Sequence, residues 1–573
     1  MDGENSRMNT AGKGLRYLKE RGIMEFAAHA AEKTADRRFD YQKWIRSRRI
    51  SSVQAGYQKK LRLPEMPKIY VLVAQAAEGD RGEESSDRMR ETMQSIQEST
   101  YSEVYPVQAL TSLIGDDDYL AFVRAGDLVE RNAFFEMAQA VQGGADVVYT
   151  DEDSFLIRDG GMVYGDPLFK PDYNPDYLRS FNYIGTLLMV RVGIIRSFYK
   201  GHPEEKIPTA QRLADPAFCY SLTLGCTRKA ASMGGVRHVA KVLCHVRKTE
   251  EKAPSFSSDL SEKMRRALEE DLQERGSGGF VEDGPLEGTF HVAYEIPGEP
   301  LVSIVIPNKD NASVLENCIL SIHSRSTWKN KEIVVVENGS RQRQTLDLYR
   351  ALEERGEAKI IRYADSFHFS RVINEGVRKA KGEFLILMNN DVTVRTPDWI
   401  ERLLAHAGRP EVGAVGPKLL YPDGRVQSAG IVTGIMGFAG SMMVAEDGDD
   451  PGYMGRAVLT QDMSAVTAAC MMVRRDAFLK VGGFPDEFSV ALGDVDFCLS
   501  LGEAGFHVVF EPSAVLIHHE SLTRGAEDTR QKKKRFEKEK AVFRKKRSGI
   551  LKAGDPAYNP NLSRRRCNWS QQT

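Results

Sequence analysis

A chain of 573 residues is too long for one hydrophobic core, so two to four domains are expected. A formal net charge of -1 and 41% hydrophobic residues are ordinary for a globular protein and leave no basic excess for nucleic-acid binding. No apolar run reaches the roughly 18 residues of a membrane-crossing helix. The polar start MDGENSRMNT has no signal core, and the seven cysteines show no CxxC or zinc spacing. Reduced thiols in the cytoplasm are therefore expected.

Residues 1–66 are rich in Lys, Arg, Glu and Ala and read as a helical N-terminal extension. An α/β block follows over 67–250, with strands at IYVLVA, DYLAFV (Asp118 to Val123) and ADVVYTDED (Ala145 to Asp153) and the end of a helix at Ser95 to Tyr101. Residues 251–299 form a helical linker, with Ser258 as N-cap and Gly276 as stop. A second α/β block covers 300–526. LVSIVIP, EIVVVENGS, AKIIRY and FLILMNND are its strands, and Ala312–Ser324, Thr345–Arg355 and Ser370–Lys381 its helices. This alternation predicts a parallel sheet covered on both faces. Residues 527–573 are a charged helical tail, exposed, with Phe536 and Phe543 on one stripe. The blocks echo each other: DYLAFVRAGDLV parallels EFLILMNNDVTV, and VLCHVRK parallels VLIHHES, as in an internal duplication.

The most informative stretch is LILMNNDVTV, Leu385 to Val394. An apolar run ending in two amides and a carboxylate reads as a buried strand emerging at the sheet edge, where α/β sheets bind ligands. Asp391 there can hold Mg²⁺ or Mn²⁺ against a substrate diphosphate.

From Leu301 to Gly525 the pieces VSIVIPNKD, IVVVENGS, FHFSRVINEGVRKAKGEFLILMNNDV, ACMMVRRDAFLKVGGFPDEF, LGDVDFCLSLGEAGF and IHHESLTRG occur in one order. In that order they resemble a family 2 glycosyltransferase of the rhamnosyltransferase-like type. The resemblance implies a GT-A-type fold, a divalent metal (Mn²⁺ or Mg²⁺), a nucleotide-sugar donor and inversion at the anomeric carbon. The expected fold class is α/β, with two Rossmann-like GT-A-type nucleotide-diphospho-sugar transferase domains in tandem, the first degenerate.

By this resemblance Asp391 takes the place of the last acid of an Asp-x-Asp motif, and Asn389 replaces the first. Asn390 joins the donor site. Asp494, in GDVDF, stands where the family's base lies, and Asp496 two residues on is structural. A base must take the acceptor hydroxyl proton during inverting attack. His518 ends the strand AVLIHH where the family places a metal-binding histidine. Spacing leaves His518 and His519 undecided, because they face opposite sides of a strand. Pro307, Asn308, Asp310 (holding a turn), Glu337, Arg371 and Asn374 are assigned to the donor nucleotide, and Arg524 is read either as meeting the diphosphate or as solvated surface. Val466 to Met472 lies under the acceptor, with Ala468 where relatives carry Gly.

The first block resembles the same family more weakly. Arg124 and Gly126, in VRAGD, stand where better-kept relatives carry acids, and a cationic side chain repels a divalent ion. The stretch between Tyr105 and Asp118 is short for a nucleotide-binding half. Asp215 and His245 survive at positions corresponding to base and ligand. This block reads as degenerate, its alternative being a second, metal-independent site.

The expected activity is transfer of a sugar from a dTDP- or UDP-sugar, dTDP-rhamnose by analogy, to a surface polysaccharide or polyprenyl-linked glycan precursor. It would take place in the cytoplasm or at the inner membrane face, with peripheral membrane contact through Arg530 to Arg547. The alternative is a non-catalytic carbohydrate-binding or scaffold protein built from decayed transferase domains. A nucleotidyltransferase would need a glycine-rich phosphate loop, which LVSIVIPNKDNAS lacks.

Overall fold

The computed structural model describes residues 39–74, 83–200, 207–231, 235–248, 256–520 and 529–571. Helices α1 (Tyr41–Arg48) and α2 (Ser52–Lys60) come first, capped by Asp40 and by a Ser51–Gln54 capping box. The first block contains β1 (Ile69–Ala74), α3 (Glu83–Gln97), β2 (Val104–Val107), β3 (Tyr119–Arg124), β4 (Leu128–Val129) and α4 (Ala133–Val141). It continues through β5 (Val147–Arg158), β6 (Gly161–Leu168), α5 (Pro175–Ser180), β7 (Leu188–Arg191), α6 (Val192–Tyr199), α7 (Pro216–Ala231) and β8 (Val236–Arg247). The connecting segment holds α8 (Ser258–Glu274), capped by Ser257 and not by Ser258, and an antiparallel hairpin, β9 (Gly279–Asp283) and β10 (Phe290–Tyr294), that the sequence reading did not include.

The second block begins with β11 (Val302–Asn308), α9 (Ala312–Arg325), β12 (Lys331–Glu337), α10 (Arg343–Glu354), β13 (Lys359–Arg362), α11 (Phe369–Lys379), β14 (Phe384–Met388), β15 (Val392–Val394) and α12 (Trp399–Ala407). Then come β16 (Val412–Leu420), β17 (Val426–Ser428), the hairpin β18 (Ile431–Thr433) and β19 (Ala439–Ser441), β20 (Gln461–Asp462), β21 (Cys470–Arg474), α13 (Arg475–Lys480), α14 (Gly493–Glu503) and β22 (His507–His518). Alternate residues of β11 and β14 enter two cores. Ile304, Ile306, Ile386 and Met388 pack on one face, and Val305, Leu385 and Leu387 on the other, which is why both strands read as unbroken apolar runs. Helix α11 lies close on the second face. A Cβ at Gly376 would overlap Val305 and Val336, so only glycine permits that approach.

The sheet is mixed, which corrects the parallel sheet expected from the sequence. β12, β11 and β14 run parallel, but β21 enters antiparallel between β14 and β16, and β15 pairs antiparallel with β22. Strand direction depends on the connection, and the apolar run of β21 carries no sign of it. The first sheet, ordered β2-β1-β3-β7-β5-β8-β4, repeats the order β12-β11-β14-β21-β16-β22-β15 with the same sense at every pairing. It has no counterpart of α10, β13 and α11: between β2 and β3 only residues 108–118 intervene.

The blocks pack directly on each other. Arg409 grips Asp176 through two bonds of 2.7 Å, both side chains buried, and Asn174 pairs with the backbone of Asp462. The C-terminal segment, α15 (Arg530–Lys546), α16 (Ser548–Ala553) and the coil to 571, is stitched to both. Arg547 pairs with Asp496 at 2.6 Å, and Asn559 donates to Asp151 of β5 at 2.9 Å. Phe543 is fully buried against the second block beside Phe488.

Candidate active site

The carboxyl ends of β11, β14 and β22 and the start of α14 open on one cleft of about 790 Å³. Of the residues singled out in the sequence, Pro307, Asn308, Asp310, Asn390, Asp391, Asp494 and His518 line it together.

Asp391 precedes β15, and β15 pairs with the end of β22 so that Val392 lies opposite His518. This register brings His518 Nε2 to 3.1 Å from Asp391 Oδ1 and 3.3 Å from the Asn389 amide. His518 Nδ1 is buried with no hydrogen-bond partner. His519 turns away: its Nε2 lies 3.2 Å from Thr393 Oγ1, while its N–H donates to the Asp391 carbonyl. Of the two histidines, His518 therefore faces the cleft. A carboxylate, an imidazole nitrogen and a reorientable amide converge here, a donor set that fits Mn²⁺ well and Mg²⁺ less well.

Asp494 stands in the first turn of α14. Leu492, at φ 64°, turns the chain into that helix. Asp494 accepts the N–H of Ala468 at 3.1 Å and of Val495 at 2.9 Å. Burial raises its pKa, and those two N–H groups with the Thr467 hydroxyl partly oppose the rise. A carboxylate that gives up its charge more readily than usual is suited to taking a proton.

The opposite wall is a polar chain. Asn390 donates to Asn308, whose amide donates to the Tyr349 hydroxyl at 2.7 Å. After β11 the backbone passes through two left-handed residues, Asp310 (φ 53°) and Asn311 (φ 55°). The Asp310 carboxylate holds this turn by accepting the N–H groups of Gln342 and Arg341, which keep its pKa below the ordinary value.

Three predicted donor residues do not line the cleft. Glu337 is buried at the end of β12 and accepts the Ser340 N–H. Arg371 is exposed and pairs with Asp486 at 3.2 Å. Asn374 exchanges two bonds of 2.9 Å with the backbone of Phe484. Together these last two tie α11 to the loop before α14. Arg524 lies outside the described residues.

Sequence reasoning missed Tyr349, an ordinary helix-face residue, and Glu539 of α15. Glu539 is buried and accepts the N–H groups of Ser489, Val490 and Ala491 in the loop leading to Asp494. Nothing in the charged run around it singles it out.

In the first sheet the matching positions carry the same residue types, but their side chains are engaged differently. Leu128 lies opposite His245 as Val392 lies opposite His518, so Asp127 stands where Asp391 stands. Arg124 pairs with Asp127 at 3.1 Å, and the Arg247 N–H donates to the same oxygen. His245 is held by Asp153 and Glu130. Asp215, before α7, caps it by accepting the Ala217 N–H.

Residues 303–482 match the model for Glycosyl transferase family 2. The matched segment contains Asp391. Asp494 and His518 lie past the matched span in the same cleft. The chain is 38% identical over 453 residues to uncharacterized protein y4gI of Sinorhizobium fredii, covering 78% of this chain and 48% of the relative. It is 32% identical over 460 residues to O-antigen biosynthesis protein RfbC of Myxococcus xanthus, covering 78% of this chain and 34% of the relative. A stretch of 151 residues is 31% identical to the N-acetylglucosaminyl-diphospho-decaprenol L-rhamnosyltransferase of Mycobacterium tuberculosis, covering 25% of this chain and 49% of that one. The chain thus spans half or less of these relatives' lengths.

Proposed function

We propose that the second block is an inverting glycosyltransferase. It would transfer a sugar from a dTDP- or UDP-sugar to a polysaccharide or polyprenyl-linked glycan at the cytoplasmic side of the cell envelope. The observation that carries the reading is the convergence of Asp391, His518 and Asp494 on one cleft at the carboxyl ends of the strands. The names of the Myxococcus and Mycobacterium relatives support the acceptor class.

Asp391 and His518, with the Asn389 amide, would hold Mn²⁺ or Mg²⁺. When bound, the ion supplies positive charge to the departing diphosphate. Asn308, Asn390 and the turn held by Asp310 shape the donor side of the cleft. Asp494 accepts the acceptor hydroxyl proton as the sugar is attacked from the face opposite the diphosphate. Ala468, whose N–H fixes the Asp494 carboxylate, forms the floor beside it.

We read the first block as non-catalytic. A guanidinium beside Asp127 replaces the charge a cation would carry, and the missing segment after β2 removes the wall that Asn338 and Gln342 provide in the second cleft. Its role is to brace the second block through Asp176 and Arg409.

The test is Mn²⁺-dependent release of nucleoside diphosphate from a panel of UDP-, dTDP- and GDP-sugars, with and without polyprenyl-linked acceptors. Release from one donor, lost in Asp391→Ala, is expected. No release from any donor with any acceptor would favour the carbohydrate-binding alternative.

A further inference from the structure

On the far side of the second sheet from α11, three elements bring metal-type ligands together. His291 comes from the hairpin strand β10, His406 from α12 and Glu511 from the middle of β22. Their ligand atoms all lie within 4.8 Å of one another, and among the described residues no other group of three or more His, Cys, Asp or Glu side chains meets that condition. Glu511 and His406 are almost fully buried. Glu511 Oε2 lies 2.9 Å from His406 Nε2 and 3.5 Å from His291 Nε2.

We propose that His291, His406 and Glu511 form a second metal site, separate from the transfer cleft, for a zinc-class divalent ion. Zinc bonds of about 2.0–2.2 Å to tetrahedral nitrogen and oxygen ligands separate neighbouring ligands by about 3.4 Å, close to the longer of the two distances observed and a small movement from the shorter. The surroundings are those of a ligand set. His291 Nε2 is buried without a hydrogen-bond partner, while its Nδ1 faces Glu282 at 3.4 Å, the arrangement in which a carboxylate orients a metal-binding imidazole. The other Glu511 oxygen is fixed by the Ser513 N–H at 2.9 Å and by its hydroxyl. His291 and Glu511 also line a cleft of about 500 Å³, which gives water access to a fourth position. Two neutral imidazoles and one carboxylate suit zinc better than the oxygen-preferring magnesium. The ion would fasten the β9–β10 hairpin to the strand that ends in His518.

The test uses the full chain carrying Asp391→Ala, so that the transfer cleft loses the carboxylate proposed to hold its ion, with any affinity tag removed. The protein is stripped with chelator and titrated with Zn²⁺ against a chromophoric competitor, then loaded with Co²⁺ for visible spectroscopy. One tightly held equivalent and the ligand-field bands of a four-coordinate ion are expected. Adding His291→Asn, a change on a partly exposed hairpin, should weaken Zn²⁺ at least tenfold, and adding His406→Asn as well should abolish it, with circular dichroism confirming a folded chain. Absence of tight binding, or equal binding by the folded double-histidine variant, would overturn the proposal and leave the cluster as a buried Glu–His hydrogen-bond network.

Discussion

Glu539 receives both the backbone N–H and the hydroxyl of Ser489, at 2.8 and 2.7 Å. The same carboxylate takes the N–H groups of Val490 and Ala491, each at 3.1 Å. Three residues later the chain reaches Asp494. A helix from the C-terminal segment thus sets the path of the loop that delivers the proposed base.

Glu539→Gln should therefore slow transfer about tenfold, equivalent to 1.4 kcal/mol in the barrier, with little change in donor KM. It should also destabilise the chain by about 2 kcal/mol, the scale of a lost charge-assisted hydrogen bond. Steady-state kinetics and thermal melts separate the two effects. A lower Tm with an unchanged kcat would confine Glu539 to a structural role.

Asp494→Asn should lower transfer by about 10² to 10⁴, the usual range for loss of a general base, and leave donor binding nearly intact. The raised pKa of Asp494 makes two pH predictions. Transfer should fall as pH drops through that raised value, because the base becomes protonated. Stability has the opposite sign: the folded state binds this proton more tightly than the unfolded state, so Asp494 costs stability as pH rises from its ordinary value through the folded one. At neutral pH the asparagine variant should therefore melt higher than wild type. A lower melting temperature together with wild-type transfer would rule out the assignment.

Asp391→Ala should weaken metal-dependent donor binding, and His518→Asn should do so to a smaller degree. His519→Asn should leave it unchanged, since that ring faces Thr393. Calorimetric titration of donor with and without Mn²⁺ checks all three. Equal metal dependence in wild type and Asp391→Ala would remove Asp391 from the ion.

Asp215→Ala, at the first-block position matching Asp494, should leave the transfer rate within about twofold, as a lost helix cap of roughly 1 kcal/mol touches no chemistry. Activity abolished in the folded variant would restore the first block as a second site.

Arg409→Met should cost about 3–5 kcal/mol, because it leaves Asp176 charged, buried and short of its main partner. Burial opposes the Asp176 charge, yet Arg409 and Arg179 hold its pKa well below the ordinary value. Its contribution is therefore present above the ordinary carboxylate pKa of about 3.9 and is lost as pH falls from there through the folded value. Wild type should lose stability in that acid window, and the variant much less. Urea melts across the window measure the difference.

The parts of the site that belong to regular elements were legible in the sequence. An apolar run such as FLILM closing on Asn389, Asn390 and Asp391 announces both a buried strand and what stands at its end. The duplicated strand plan was visible through the echo of VRAGDLV in MNNDVTV. Strand direction was not, because burial patterns are the same for either sense. Spacing could place His518 and His519 on opposite faces but could not choose between them. That choice came from the pairing of Val392 with His518, a contact across more than a hundred residues. Arg371 and Asn374 follow the same logic in reverse. Their place in the motif implied the nucleotide, and tertiary packing gave them Asp486 and Phe484 instead. The tail read as a solvated charged run because most side chains of α15 are charged, and composition cannot reveal that Phe543 and Glu539 point inward.

The bond between Asp151 and Asn559 closes a loop of 408 residues. Asp151 lies in a central strand of the first block, so synthesis has to run through the whole second block before that carboxylate gains this partner. The first block therefore completes its packing late, after the block it precedes has been made. A chain cut after residue 526 should leave Asp151 without Asn559 and Asp496 without Arg547, so both blocks should be more open to protease than in the full chain.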